Sequence, residues 1–136
     1  MTHRRKARLL ALQLLYAFDT SPINGKEVEE LFWEGRKAEQ KIKDFAQRLV
    51  KGARENIADI DRLISQHLDN WQFERLSTVD RNILRFATYE LLYCEDIPPV
   101  VSIDEAIELA KTYSTADSPA FVNGILDKIR KVIDAG

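Results

Sequence analysis

The sequence predicts an all-α protein built as two small three-helix bundles sharing one core. Three observations carry that expectation. Apolar residues recur at intervals of three and four over most of the chain, the spacing of amphipathic helices. Breakers are scarce, with five Gly and four Pro in 136 residues, among many Leu, Ala, Glu, Lys and Arg. Serines followed three residues later by an acid, Ser77 with Asp80 and Ser102 with Glu105, have the form of helix-starting capping boxes. The length suits one domain with a proper core, and 45% hydrophobic with 31% charged residues is ordinary for a soluble globular protein.

Residues 2–18 read as a first helix with Leu9, Leu12, Leu15 and Tyr16 on its apolar face. A basic start followed by LLALQLLYAF has the look of a secretion signal. Gln13 interrupts the run, and Asp19-Thr20-Ser21-Pro22 follows as a loop rather than a small-residue cleavage site, so that reading is set aside. Val28, Leu31 and Phe32 mark a short second helix ending near Gly35. A long helical pattern then runs from about Ala38 to His67, with Gly52 inside it as a candidate for close packing. Leu68 to Arg75 form a connector whose Trp71 and Phe73 are expected to plug the junction between the two halves of the core.

Leu76 to Tyr93 is the expected centre of the molecule. Its apolar residues lie on more than one side, which requires cover from several directions. Glu90 falls in line with Ile83, Phe86 and Ala87, so it needs a buried partner or a place at the core's rim. Pro98 and Pro99 end that stretch. Ser102 is expected to start the next helix, and Ser118-Pro119 the last, whose stripe is Val122, Ile125, Leu126, Ile129, Val132 and Ile133. Gly124 in mid-helix suggests the close approach of a neighbour. The expectation is therefore six principal helices, an N-terminal sub-bundle over about 2–67 and a C-terminal one over about 76–134.

Charge is unevenly spread. Four of the 20 basic residues, Arg4, Arg5, Lys6 and Arg8, fall in the first eight positions, leaving 16 against 22 acidic residues in the rest. Cations at a helix start oppose the helix dipole, so folding alone does not explain them, and an anionic partner does. A solvated, frayed basic end is the plain alternative. One cysteine, Cys94, and two histidines, His3 and His67, exclude a disulfide framework and a structural zinc site, and suit a reducing cytoplasm. No run is long and apolar enough for a membrane span. No Ser-His-Asp or Cys-His arrangement and no glycine-rich phosphate loop is readable, so catalysis is not expected.

VDRNILRFATYEL and VSIDEAIELAKTYSTADSPAFVNGILDKI resemble the C-terminal half of the NusB family of transcription antitermination factors. HRRKARLLALQLLYAFD resembles that family's arginine-rich start, and residues 20–70 agree in helical pattern more than in identities. The resemblance implies a cytoplasmic protein without cofactor or metal. It would bind single-stranded boxA RNA of ribosomal RNA leaders jointly with NusE, which is ribosomal protein ten of the small subunit. The pair would then join the antitermination complex on RNA polymerase. Some members self-associate through the ligand-binding surface, and the sequence allows either state. A methyltransferase family carries a NusB-like domain at its N-terminus; an α/β catalytic domain is not expected here.

Carried onto this chain, the resemblance assigns RNA contacts to Arg4, Arg5, Lys6, Arg8, Asp117 and Phe121. Arg4 and Arg8 share a helix face, and a flat ring at Phe121 can stack on a base. From the residues alone, core packing for Phe121 and capping for Asp117 come first. The chain departs from the family pattern at Ala120, where many relatives carry a basic residue, so affinity is expected to lean more on NusE. Tyr16 and Asp80 match positions facing NusE, with Glu74 in support. A core-edge tyrosine and a capping aspartate are the alternatives. Two rival functions remain at this stage, a duplex-DNA-binding regulator and a helical adaptor that binds no nucleic acid.

Overall fold

A computed structural model describes residues 2–69 and 72–136. Among these residues the secondary structure is seven α-helices and one 3-10 turn, with no strand. They are α1 (His3–Thr20), α2 (Gly25–Trp33), α3 (Gln40–Glu55), α4 (Ile57–Gln66), a 3-10 turn (Phe73–Arg75), α5 (Thr78–Tyr93), α6 (Pro99–Tyr113) and α7 (Ser118–Ala135).

Helix α5 is the axis. It packs against α1, α3 and α4 on one side and α6 and α7 on the other. Helix α1 packs against α2 and α3, and α5, α6 and α7 pack against one another. One continuous apolar core joins them, with Leu14, Leu49, Ile60, Ile64, Ile83, Leu84, Phe86, Leu126 and Ile129 removed from solvent. Burying a side chain of this size stabilises by about 1.5–3 kcal/mol, so these shared residues tie the helices around one core.

The single helix expected from Ala38 to His67 is two. Asn56 leaves helical geometry at φ −113° and ψ 20°. Its side-chain amide and its backbone N–H both donate to the Gly52 carbonyl, at 2.9 and 3.2 Å, where α3 stops. The apolar spacing runs on because α4 still turns Ile60 and Ile64 toward α5. Gly52 is a packing position as expected: a Cβ there would overlap the Tyr89 ring. Gly124 is not, since nothing lies within 4 Å of a Cβ built on it.

The second capping box is also absent. Pro98 precedes α6 and Pro99 opens it, a position where a missing N–H costs nothing. Ser102 thus lies inside the helix and is fully buried. Ser118 likewise opens α7 one residue after Asp117, and its hydroxyl turns inward. Ser77 does cap α5, accepting from the Asp80 N–H at 3.1 Å. Phe73 packs against the core as expected, while Trp71 lies outside the described residues.

Candidate nucleic-acid interface

The basic start of α1 is anchored by Thr2, whose hydroxyl accepts from the Arg5 N–H at 3.1 Å. Three of the four cations beyond it meet carboxylates. Arg8 is only 2% exposed, and its Nε and Nη2 donate to the two oxygens of Glu90 at 2.9 and 2.8 Å. Ser102 donates to the same carboxylate at 2.8 Å, so one buried knot ties α1, α5 and α6. This supplies the partner Glu90 required, and it corrects the expectation that Arg8 lies on the ligand surface. The Nε–Nη2 edge of the guanidinium is spent on Glu90, and almost none of the residue meets solvent.

Arg5 is half-buried and donates from Nε to Glu105 at 2.8 Å. That hydrogen bond and the Glu105 charge raise its pKa further. Arg4 is exposed, 3.5 Å from Asp96, and lies 4.5 Å above the Phe45 ring. Arg8 lies 5.4 Å from the same ring, so Arg4 and Arg8 do share a face. Asp96 also accepts two bonds from Arg48 at 2.6 and 3.1 Å, which hold its pKa down at about 2. Lys6 is exposed and forms no ion pair among the described residues.

At the other end of α6 a cleft of about 320 Å³ opens between the starts of α5 and α7. Asp117 and Phe121 line it together with Arg75, Leu76, Asp80 and Ser118. Phe121 is half-buried, so its ring both packs on the core and shows a face to the cleft. Asp117 stands at the cap position of α7, yet its side chain makes no capping bond and is exposed. Asp80 shapes the cleft from below. Its carboxylate accepts from Ser114 at 2.7 Å and from Ser118 at 2.9 Å, pinning the turn between α6 and α7 to the first turn of α5. At 9% exposed, with both oxygens engaged, Asp80 is not presented to a partner as expected.

Tyr16 is 44% exposed. It borders an adjoining hollow of about 230 Å³ with Leu9, Leu12, Gln13, Val79 and Tyr113. The surface is apolar with phenol tips, suited to protein contact. Glu74 is exposed on the 3-10 turn nearby in sequence to Asp80. Behind the hollow, Asp19 at the end of α1 accepts from Arg85 at 2.9 Å, Asn82 at 2.9 Å and Arg81 at 3.2 Å. Burial pushes the Asp19 carboxyl up, but the Asn82 bond and the Arg85 charge outweigh it and leave the pKa lowered.

The model of the NusB family matches residues 5–131. The chain belongs to the NusB family. A transcription antitermination protein NusB of Thermodesulfovibrio yellowstonii is 49% identical, covering 94% of this chain and 91% of the relative. Among solved structures, Thermotoga maritima NusB aligns with a TM-score of 0.85 at 45% identity, over 94% of this chain and 90% of that one. A NusB solved with NusE and double-stranded RNA aligns with a TM-score of 0.84 at 31% identity, over 97% of this chain and 98% of that one.

Within this NusB fold, sequence reasoning missed three features. Arg75 lines the cleft beside Phe121, a cation close in space to the position where Ala120 lacks one. Tyr113 faces Tyr16 across the hollow. Both come from turns or helix ends whose neighbours lie far away in sequence, so local spacing carried no signal. Lys37 and Lys41 were legible as cations in RKAEQKIK, but their place beside α1 was not. No group of three or more His, Cys, Asp or Glu able to hold a metal occurs among the described residues, and no helix there is long and apolar enough to cross a membrane.

Proposed function

We propose that this NusB-family protein is a cytoplasmic transcription antitermination factor. It binds boxA RNA of ribosomal RNA leaders jointly with NusE and joins the antitermination complex on RNA polymerase. The single observation that carries the reading is the cleft at the start of α7, where the exposed Asp117 carboxylate stands beside a half-exposed Phe121 ring. A ring can stack on an unpaired base, and a carboxylate can accept from a base amino group. Arg75 supplies a phosphate contact at the same cleft, and Arg4, Arg5 and Lys6 supply others at the far end of α6. Arg8 acts indirectly, by holding the start of α1 in place. The Tyr16 hollow receives NusE, with the exposed Glu74 of the 3-10 turn in support. Each protein then offers part of one RNA surface, and no bond is made or broken.

The test is binding of a labelled single-stranded boxA RNA with and without NusE, at two salt concentrations. The expected result is tighter binding with NusE, and a loss of about 5- to 150-fold for Phe121→Ala, the worth of one stacked base. Duplex RNA in the same assay addresses a second reading, favoured by the relative solved with double-stranded RNA. Equal affinity for duplex RNA, with no loss at Phe121→Ala, overturns the single-strand reading. Preference for duplex DNA overturns both.

A further inference from the structure

The arginines at the start of α1 are largely satisfied from within, by Glu90, Glu105 and Asp96. The uncommitted positive charge on this face belongs to lysines. Lys6 and Lys37 rim a groove of about 310 Å³ floored by Leu9, Leu10 and Ile42. Lys41 rims the neighbouring hollow of about 500 Å³, which also meets His3, Arg4 and Arg48. Lys37 and Lys41 are exposed, and neither forms an ion pair among the described residues. The carboxylates in these two hollows are turned to other partners. Glu39 lies 3.3 Å from His3, and Asp44 accepts from Gln40 at 2.7 Å.

The contact between His3 and Glu39 also draws the segment before α3 against the start of α1. Two basic stretches far apart in sequence thereby form one surface. Arg36 is spent elsewhere, over the Phe32 ring and on the Phe32 carbonyl.

We propose that Lys37 and Lys41 form a second cationic track that continues from Lys6. It takes the phosphates of RNA lying beyond the segment read at the Asp117–Phe121 cleft. This rests on the RNA-binding reading above and extends it to the flanking strand. Lysine suits the task. Its ammonium is a point charge on a flexible stem, able to follow a mobile backbone without fixed geometry. An acidic protein would need charges at set positions, whereas these lysines border shallow apolar floors on which loose nucleotides can lie.

The experiment compares three RNAs on the intact protein: the boxA segment alone, and the same segment with ten uridines added at the 5′ or the 3′ end. For the unaltered protein, one extended RNA is expected to bind more tightly. Its salt dependence should be steeper than that of the short RNA by about 1.4 in the log–log slope for the contacts of Lys37 and Lys41, at roughly 0.7 per phosphate contact. In Lys37→Gln/Lys41→Gln that part of the slope is lost, the extension gains little, and the short RNA binds within threefold of normal. Both positions are exposed, and an unchanged melting temperature confirms the fold.

The proposal is overturned if neither extension helps the unaltered protein, or if the gain survives the double substitution. It is also overturned if NusE affinity falls instead, which would mark a protein-binding surface. Failure of the short RNA alone to bind, with the extension gain still lysine-dependent, sinks the boxA reading and leaves this track standing.

Discussion

Arg8→Met separates a structural arginine from a ligand contact. In the folded protein Arg8 and Glu90 are both withdrawn from water, 2% and 0% exposed at the side chain. Removing the guanidinium leaves the Glu90 carboxylate with only the Ser102 hydroxyl. Breaking a buried ion pair from one side costs about 3–5 kcal/mol, a large part of the ~5–15 kcal/mol that holds a domain of this size together. With unfolding entropy of about 2.1 cal/mol/K per residue over 136 residues, each kcal/mol shifts the melting temperature by about 3.5 °C. The expected fall is therefore roughly 10–17 °C by circular dichroism at pH 7. Arg8→Met/Glu90→Gln removes the charge from both sides and keeps an acceptor for Ser102, so at least half of that loss should return. At a temperature where Arg8→Met is folded, RNA affinity should change less than tenfold. A melting temperature within 3 °C of normal combined with a 30-fold loss of RNA binding would refute the reasoning, because it would mean Arg8 spends its charge on ligand.

Glycine exchanges should split by position. Gly52→Ala forces a methyl into the Tyr89 ring and is expected to cost about 1–3 kcal/mol, whereas Gly124→Ala meets open space and is expected to stabilise by about 0.5–1 kcal/mol; urea unfolding reads both. Acid should weaken the fold in a defined window. Asp96, held at about 2 by Arg48, and Asp19, also lowered, have folded pKa values below their unfolded ones. Their contribution is therefore complete above the ordinary carboxylate range and is lost below it, for Asp96 as pH falls through about 2. Asp19→Asn should flatten the fall in stability below pH 4, followed by melting temperature against pH. Asp80→Ala leaves the Ser114 and Ser118 hydroxyls without their acceptor; it should weaken RNA binding through the cleft while Asp80→Asn, which still accepts a bond, weakens it less.

Local patterns in the sequence carry the helices and the centrality of α5, because amphipathic spacing directly reports which faces are covered. Glu90 was legible as an acid needing either a buried partner or a place at the core's rim, since a charge in line with Ile83 and Phe86 cannot be buried unpaired, and the structure takes the first. Its partner was not legible, because Arg8 lies in a stretch whose charge also fits an external anion. Ser102 and Ser118 show the same ambiguity. A serine near a helix start reads as a cap, but here each hydroxyl serves a carboxylate on α5, a contact that exists only after packing. Asn56 breaks a helix by a local change of backbone angles that leaves the three-and-four spacing intact. Gly52 and Gly124 look alike in sequence, and only the position of Tyr89 tells them apart. At the candidate interface Asp117 and Phe121, four residues apart, line one cleft, while the free lysines gather only through tertiary contact.

Val79 and Asp80 are consecutive residues on one turn of α5, and they face different neighbours. Val79 borders the hollow with Tyr16, and Asp80 secures the turn beside Phe121. A protein seated on the first therefore leans on the support of the second. Any coupling carried through this turn must, by thermodynamic reciprocity, run both ways. Cooperation between two ligands would then need no large rearrangement, only a shared half-turn of helix.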